Sequence, residues 1–599
     1  MQLSEIDLSN FRSFSKGTVS FERRLTVLLG ENNGGKSNII DALRLISTPL
    51  SGRREIYCEE TDIRFGSTER AFEISATFSG LSPPQQGRLL SATTDDSMTV
   101  ARFGLKYDTS GKRPPVRPTL WAGRFKSAPE PGCHEMIRHV YLPPLRDAKR
   151  ALASGNPTRI YALLNHFLGG RDPDVVARSL ARAGSDPILT NVDAAVTTEL
   201  DALTIGVRRQ STALGFSTDE RLIDIARDLR FKLSDHGITP EDLRYSGHGF
   251  ANLLYIATIA VELEKVDNAD LTMFLVEEPE AHLHPQLQAA VLNFLEERAD
   301  KSFLPKSDTD APAGHVQVLV ATHSPNLSAW VSSQDLIVIR SILPDDKEQT
   351  ADKKEIGDVP PKIRRRETRC IPIAKLNLTD SDRRKIDRYL DVTKSALLFG
   401  GRVLLAEGIA EALLLPVIAK HFVLRNRPDD LRIFRSAVFV PIDGVDFGPY
   451  VNVLLAPFNG TRIADRLVII TDGDKTTEAD GEDLSGNKRK TALDALAAAH
   501  DASTVLDVFV NTYSLESELV AAGNASIMKD VFLELHPRSE SKWDEIIGLE
   551  NDDRARAIQD LFKTTPKGDF AQILAGRIDN SDAFAVPDYI RQAIETLVK

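Results

Sequence analysis

Gly30-Glu31-Asn32-Asn33-Gly34-Gly35-Lys36-Ser37 is a complete G-x-x-x-x-G-K-S sequence, and it decides the fold of the first part of the chain. An apolar run at residues 25–29 precedes it, and apolar residues recur with helical spacing after Ser37. A strand, a glycine-rich loop and a helix in this order bind phosphate, because backbone N–H groups surround the oxygens and the helix N-terminus attracts negative charge. We therefore predict an α/β nucleotide-binding domain in which ATP is bound by Gly30, Asn33, Gly35 and Lys36 and Mg²⁺ by Ser37.

Length and composition limit the class of protein. A chain of 599 residues exceeds a single hydrophobic core, and its 42% hydrophobic content is ordinary for a globular protein. Cys58, Cys133 and Cys370 are too far apart in sequence to suggest a disulfide framework or a zinc site. No apolar run is long enough to span a membrane and the first residues are not a signal peptide, so we expect a cytoplasmic protein. The net charge of −12 argues against a uniformly basic DNA-binding surface but permits a local one.

A second apolar stretch, residues 273–276, ends in the two carboxylates Glu277 and Glu278. A buried strand carries its terminal acids to the carboxyl edge of the sheet, where nucleotide phosphates lie. We predict that Glu277 holds Mg²⁺ and binds the nucleotide through it, and that Glu278 is the catalytic base that polarises the attacking water.

A third strand ends at Thr322-His323, and His323 is a candidate catalytic sensor of the γ-phosphate. Tyr245-Ser246-Gly247-His248-Gly249-Phe250 lies between the phosphate loop and the acidic strand. This order of elements resembles the ABC-type ATPases, whose signature serine and glycine contact ATP held by a partner protomer. The resemblance implies that Ser246 and Gly247 bind nucleotide in at least a dimer. His248 and Phe250 depart from the usual signature, and no glutamine lid is evident, so we expect slow or conditional hydrolysis.

The C-terminal part contains a second set of acids. A strand at 402–406 ends in Glu407, Glu411 follows four residues later, and a strand at 467–471 leads into Asp472-Gly473-Asp474. Hard oxygen ligands of this kind suit Mg²⁺ or Mn²⁺. A lone Asp-Gly-Asp is more often a turn than a metal site, but the joint pattern resembles the Toprim domain of topoisomerases, primases and related nucleases.

An ABC-type ATPase followed by a Toprim pattern resembles the OLD (overcoming lysogenization defect) family of nucleases, which includes the Gabija nuclease. The segment Val140-Tyr141-Leu142-Pro143-Pro144-Leu145-Arg146-Asp147 is also typical of that family. The resemblance implies DNA cleavage with Glu407, Asp472 and Asp474 as catalytic acids and Lys567 stabilising the charged transition state. It also implies two divalent ions, Mg²⁺ or Mn²⁺, held by Glu407, Glu411, Asp472, Asp474, Glu516 and Glu518.

The same resemblance implies a homodimer or homotetramer, a role in defence against phage, and a helicase partner if the protein is Gabija-like. We expect an ABC-type ATPase with a helical insertion, followed by a Toprim α/β domain. The predicted boundaries are an ATPase N-terminal part at 1–147, a helical insertion at 148–240 that is a candidate for dimerisation, an ATPase C-terminal part at 241–342, a linker at 343–394 and a Toprim nuclease domain at 395–599.

Three functions are consistent with these patterns. The first is a metal-dependent DNA endonuclease controlled by nucleotide state, and the second is a non-catalytic ATP-dependent DNA-binding protein resembling RecF or SMC heads. The intact Toprim acids disfavour the second. Primase or topoisomerase activity ranks third, because neither a primase zinc module nor a tyrosine-bearing cleavage domain is evident. The sequence does not decide whether ATP activates or inhibits cleavage.

Overall fold

The chain divides into two compact units, Met1–Ala374 and Lys375–Lys599. The computed structural model describes residues 1–599 except for 23, 51–53, 112–114, 145–157, 184–186, 205–209, 216–221, 223–224, 227–228, 236–240, 243–246, 264–269, 282, 305–313, 344–364, 476–484 and 579–583. Among the helices so described, none has the length and apolar composition that crossing a membrane requires.

The first unit is built on a seven-stranded sheet. The strands of this unit are β1 (Gln2–Phe11), β2 (Phe14–Ser20), β3 (Leu25–Gly30), β4 (Thr48–Pro49), β5 (Ala71–Ser79), β6 (Val100–Asp108), β7 (Thr119–Ala122), β8 (Ile137–Leu142), β9 (Gln210–Gly215), β10 (Arg230–Asp235), β11 (Glu241–Asp242), β12 (Leu271–Glu277), β13 (His315–Thr322), β14 (Leu336–Ile342) and β15 (Glu367–Pro372). The seven-stranded sheet has the order β15-β14-β3-β13-β12-β8-β4, and all its pairings are parallel except that of β15 with β14. Every residue of β3 and β12 is buried, as continuous apolar runs in a parallel sheet predict.

Helices connect these strands. They are α1 (Lys36–Ile46), α2 (Pro83–Arg88), α3 (Thr158–His166), α4 (Pro173–Ala183), α5 (Pro187–Leu203), α6 (His248–Leu263), α7 (Pro285–Ser302) and α8 (Pro325–Ser328). A second, antiparallel sheet has the order β2-β1-β5-β6-β7. The alternation of Leu3, Ile6 and Leu8 predicts an edge strand, but β1 lies between two neighbours. Alternation reports only which side of a strand is buried and does not reveal how many strands flank it.

The predicted helical insertion at 148–240 contains strands as well as helices. Helices α3, α4 and α5 lie in it, but β9 and β10 also pair there, with Leu233 opposite Thr212. Leu222, Ile225, Leu229 and Leu233 have helical spacing in the sequence, which places all four on one predicted helix. Leu233 instead lies buried in β10, so this part of the prediction is wrong. When a short strand has few apolar residues, their spacing in the sequence also fits one face of a helix.

In its described residues, the predicted linker at 343–394 contains a strand, a 3-10 turn at Ile373–Lys375 and an α-helix. Strand β15 pairs with β14 and thus extends the seven-stranded sheet, and helix α9 (Asp380–Tyr389) begins the second unit. The sequence does not predict β15, because the strand contains charged residues that are typical of exposed chain. In the structure Glu367 is buried and paired with Arg64 and Arg369.

The second unit contains four strands, β16 (Arg402–Ala406), β17 (Val438–Pro441), β18 (Arg466–Thr471) and β19 (Leu506–Val510). They form a parallel sheet in the order β17-β16-β18-β19. The further helices are α10 (Ile409–Ile418), α11 (Pro428–Ser436), α12 (Gly448–Leu455), α13 (Ser485–Ala499), α14 (Leu515–Leu519), α15 (Ala525–Leu535), α16 (Glu540–Ile547), α17 (Asn551–Phe562), α18 (Lys567–Ile578) and α19 (Asp588–Val598). The apolar runs of β16 and β18 are buried, so their C-terminal residues reach one edge of the sheet together.

Candidate active sites

The phosphate loop has the predicted strand–loop–helix structure. Strand β3 ends at Gly30 and α1 begins at Lys36, with Gly35 before it at a φ of 107°. Only glycine adopts this conformation readily, which explains the second glycine of the motif. The Lys36 ammonium is buried and donates to the carbonyl oxygens of Gly30 at 2.6 Å and Glu31 at 2.8 Å. Burial lowers the pKa of Lys36 against the opposing effect of Glu278.

Residues outside the motif also support this loop. The Thr368 hydroxyl of β15 lies 2.9 Å from the Gly34 carbonyl oxygen and 2.7 Å from Oγ of Ser13. Asn33, at the exposed tip of the loop, has a φ of 63°. The sequence carries no signal for Thr368, because it lies in a polar stretch that is typical of a linker.

The predicted magnesium ligands of the ATPase lie together. Glu277 is the last residue of β12, and its carboxylate accepts hydrogen bonds from Tyr141 Oη at 2.9 Å and from the Ser37 side chain. Burial raises the pKa of Glu277. The guanidinium of Arg44 lies 3.7 Å above the Tyr141 ring. Tyr141 belongs to the OLD-like segment at 140–147, and the sequence does not predict its contact with Glu277.

Glu278 and His323 lie at the neighbouring strand ends. The Glu278 N–H donates to the Ala321 carbonyl oxygen at 2.8 Å, and Glu278 has a φ of 46°. Nδ1 of His323 is 3.8 Å from Oε1 of Glu278 and 3.3 Å from Oε1 of Glu280. Buried Glu280 also accepts from the Thr322 hydroxyl at 2.6 Å and the His323 N–H at 3.0 Å. Glu280 therefore holds the end of β13 in place. The spacing of residues in the sequence does not predict this contact.

The signature segment is described only in part. Gly247 is exposed and immediately precedes helix α6, and its contact with a nucleotide stays a prediction. Ser246 lies outside the described residues, as do residues 145–147 of the recognised segment.

In the second unit, β16 and β18 bring Glu407 and Asp472 side by side. The two strands pair in parallel with Ala406 opposite Ile470, so each acid follows the end of its strand. Oε1 of Glu407 accepts from the Asp472 N–H at 2.9 Å and from the Thr471 hydroxyl. The structure thus places the predicted glutamate and the first aspartate at the same edge of the sheet.

Buried Glu411 and partly buried Asp472 lie among other acids. Burial, with the nearby negative charges of Glu411 and Glu407, raises the pKa of Asp472 well above its usual value. Burial, with Glu516 and Glu407, raises the pKa of Glu411 to about 7. Among the described side chains, only Asn511 donates to the Asp472 carboxylate, from Nδ2 to Oδ1 at 2.6 Å. The Asp472 carboxylate therefore has one side-chain donor among the described residues, although three other acids lie near it.

The remaining predicted acids differ in their burial and in their hydrogen-bond partners. Glu516 is 3% exposed, and its Oε2 has no hydrogen-bond partner among the described residues. The Lys567 ammonium lies 3.3 Å from the other oxygen of Glu516. Asp474, with a φ of 51°, is half-exposed and accepts from Gln559 at 3.4 Å. Glu518 accepts from the Thr512 N–H at 3.1 Å.

The donor set fits a divalent cation in charge and chemistry. In the described ranges, no three Asp, Glu, His or Cys side chains are gathered closely enough to form a ready metal cage. The buried Oε2 of Glu516 nevertheless has no partner among the described residues, and neighbouring acids raise the pKa values of Glu411 and Asp472. Carboxylate oxygens that repel one another are stabilised by a bound Mg²⁺ or Mn²⁺.

Arg489 also contacts the acidic cluster, and the sequence does not predict this contact. Its Nη1 lies 2.6 Å from Oε1 of Glu407 and its Nη2 lies 3.8 Å from Oδ2 of Asp474. Lys488, Arg489 and Lys490 are consecutive in α13, so they are typical of a solvated helix face. Nothing in that run distinguishes the residue that contacts the acids.

Comparison with known proteins identifies relatives of parts of this chain. A family model for an AAA ATPase domain matches residues 1–108 and 212–327. The Old nuclease of Escherichia phage P2 is 22% identical over 353 residues, which are 55% of this chain and 57% of that protein. The chain thus spans little more than half the length of this relative.

Two further similarities are shorter or weaker. The DNA replication and repair protein RecF of Bacillus thuringiensis (strain Al Hakam) is 40% identical over 53 residues, 9% of this chain and 14% of that protein. The C-terminal region of the Burkholderia pseudomallei OLD protein is 25% identical, with a TM-score of 0.26, over 33% of this chain and 98% of that one. The predicted resemblance to the OLD family and the predicted ATPase fold are confirmed by the sequence matches.

Proposed function

We propose, from this resemblance to the OLD family, that the protein is an ATPase and a divalent-metal-dependent DNA endonuclease. The observation that carries the proposal is a cluster of four carboxylates beside Lys567, in which Glu411 and Glu516 are buried and Glu407 and Asp472 are partly buried. A purely structural role does not explain why neighbouring acids raise the pKa values of Glu411 and Asp472, or why the buried Oε2 of Glu516 has no hydrogen-bond partner among the described residues.

Bound ions would activate a water molecule and stabilise the leaving oxygen of the phosphodiester. Glu407, Glu411, Asp472 and Asp474 would hold them, with Glu516 and Glu518 completing the set. Lys567 contacts Glu516 and would place a positive charge beside the scissile phosphate. We expect DNA as the substrate because the acids resemble the Toprim pattern of DNA-processing enzymes.

The first unit would bind and hydrolyse ATP. Lys36 would contact the phosphates, Ser37 and Glu277 would hold Mg²⁺, and Glu278 would polarise the attacking water, with His323 beside it. Ser246 and Gly247 would contact nucleotide held by a second copy of the chain, so we expect a homodimer or a homotetramer. We further propose that nucleotide state controls cleavage and that the protein acts in the bacterial cytoplasm against phage, with a helicase partner if the system is Gabija-like.

The direct test is a plasmid nicking assay with Mg²⁺ or Mn²⁺ across ATP concentrations. We expect the wild type to nick the plasmid and Asp472→Ala to lose nicking while it still binds ATP. Asp507→Ala is the matched control, because Asp507 is a half-exposed aspartate of β19 paired with Arg466. Full nicking by purified Asp472→Ala would reject the site.

The absence of wild-type nicking in every nucleotide state would favour the non-catalytic alternative, an ATP-dependent DNA-binding protein similar to RecF or SMC heads. A plaque assay in cells that express the wild type, Asp472→Ala or Lys36→Ala tests the role in defence. We expect only the wild type to reduce plaque formation.

A further inference from the structure

The Arg489 guanidinium lies between two of the carboxylates assigned to the metal site. Its Nη1 is 2.6 Å from Oε1 of Glu407 and 3.3 Å from the Asp472 carbonyl oxygen, and it also contacts the Thr471 hydroxyl. Its Nη2 is 3.8 Å from Oδ2 of Asp474. The Arg489 side chain is 15% exposed. Arginine keeps its charge at every physiological pH, so this positive charge is permanent.

We propose that Arg489 lowers the affinity of this site for divalent cations and thereby sets the metal concentration at which the nuclease works. This inference rests on the proposed function. Because the guanidinium contacts both Glu407 and Asp474, a cation held by these acids meets its positive charge at short range, where screening by water is weak. Arg489 also partly neutralises the acids that attract the cation.

The local structure holds Arg489 at this position. Helix α13 passes so close to the end of β18 that a Cβ atom at Gly486 would lie 2.5 Å from the Asp472 carbonyl oxygen. Only glycine permits that approach. Arg489 follows three residues later, about one helical turn, so it is brought to the acids.

Glu407 is held by one of its two oxygens. Oε1 receives Arg489, the Thr471 hydroxyl and the Asp472 N–H, whereas no described residue donates to Oε2. Arg489 therefore orients Glu407 and leaves one carboxylate oxygen for a cation. It is a positioning residue that also contributes charge.

The test measures Mn²⁺ binding to the full-length chain without nucleotide. Electron paramagnetic resonance detects the Mn²⁺ that remains free. Arg489→Gln removes the charge and keeps an amide donor, and Arg489→Lys keeps the charge without the planar fork. We expect Arg489→Gln to bind Mn²⁺ about fivefold more tightly or better, and Arg489→Lys to bind within about twofold of the wild type.

Lys490→Gln is the matched control, because Lys490 is the next residue of α13 and is exposed beside a cavity lined by Asp507 and Tyr589. We expect no change in its Mn²⁺ affinity. Unchanged or weaker Mn²⁺ binding by folded Arg489→Gln would overturn the inference. If that variant does not fold, Arg489→Leu provides a second neutral replacement that keeps an apolar stem.

The outcomes separate this inference from the proposed function. If the wild type binds no Mn²⁺ that is lost in Asp472→Ala, the metal site itself is wrong. If that binding is present but the neutral variants at Arg489 match the wild type, only the role of Arg489 is wrong.

Discussion

The Lys567 ammonium lies 3.3 Å from a carboxylate oxygen of Glu516, whose side chain is almost completely buried. Burial alone would lower the pKa of Lys567, but the negative charges of Glu516 and Asp472 outweigh it and raise the pKa. Lys567 therefore keeps its proton in the neutral range and supplies a fixed positive charge at the acidic cluster.

Lys567→Met should abolish DNA cleavage and destabilise the second unit. Glu516 would be left buried without its counter-ion, and because Lys567 is itself 45% exposed we expect a loss of only about 1 kcal/mol. The double variant Glu516→Gln/Lys567→Met should recover the stability but not the cleavage. Urea unfolding and the nicking assay measure the two effects, with Lys563→Met on the exposed end of α17 as control. Wild-type cleavage by Lys567→Met would show that this charge is dispensable.

Thr368→Val should weaken ATP binding although Thr368 lies far from the phosphate-loop motif in sequence. The variant removes the hydroxyl beside the Gly34 carbonyl oxygen, and one lost hydrogen bond corresponds to at most about a tenfold change in affinity. Thr368→Ser keeps the hydroxyl and should bind nearly as the wild type does. Titration with a fluorescent ATP analogue measures this, and equal affinity of the valine and serine variants would contradict the prediction.

Lys36→Ala should eliminate ATP binding while Mn²⁺ binding at the acids of the second unit is retained. Lys36 is the cation that contacts the loop carbonyls, whereas Lys16 is an exposed lysine of β2 and provides the control Lys16→Ala. Calorimetry with ATP and paramagnetic resonance with Mn²⁺ measure the two sites independently. Loss of Mn²⁺ binding in a folded Lys36→Ala protein would mean that the sites are not separate.

His139 should make the stability of the first unit dependent on pH. Burial, helped by the positive charge of Arg44, lowers the pKa of His139 to about 3, and the ring lies 2.8 Å from the Ser47 hydroxyl. The unfolded chain has the ordinary pKa of about 6.5, so it binds more protons than the folded chain between these values and stability falls as the pH falls.

The measurement compares the urea unfolding of the wild type with that of His139→Gln. Between about pH 6.5 and pH 5, the wild type should lose about 1.5 kcal/mol relative to the variant, because glutamine does not titrate. A constant difference between the two proteins across this range would show that His139 is not buried as a neutral ring.

The parts of the fold that the sequence predicted are those in which local pattern and burial agree. The apolar runs before Gly30, Glu277, Glu407 and Asp472 are all buried strands, because parallel strands covered on both faces must be apolar throughout. The predicted acids lie at the ends of these strands because an unpaired charged side chain is not tolerated within the buried part of a strand.

Residues that act through contacts distant in sequence were not predictable. Thr368 reaches the phosphate loop from 334 positions away, and Arg489 reaches Glu407 from 82. Each belongs to a stretch whose composition is typical of solvent-exposed chain. The insertion was only partly predicted, because a few apolar residues in β10 fit helical spacing as well as strand spacing.

The position of β15 determines where the chain can be divided into fragments. A fragment that ends at the predicted boundary, residue 342, would lack β15, so β14 would become a bare edge strand with unpaired backbone groups. It would also lack the Thr368 hydroxyl, and its phosphate loop would lose a support that the intact chain provides. A fragment that ends at residue 374 retains both, so the first unit should be truncated there if it is to be purified without the second.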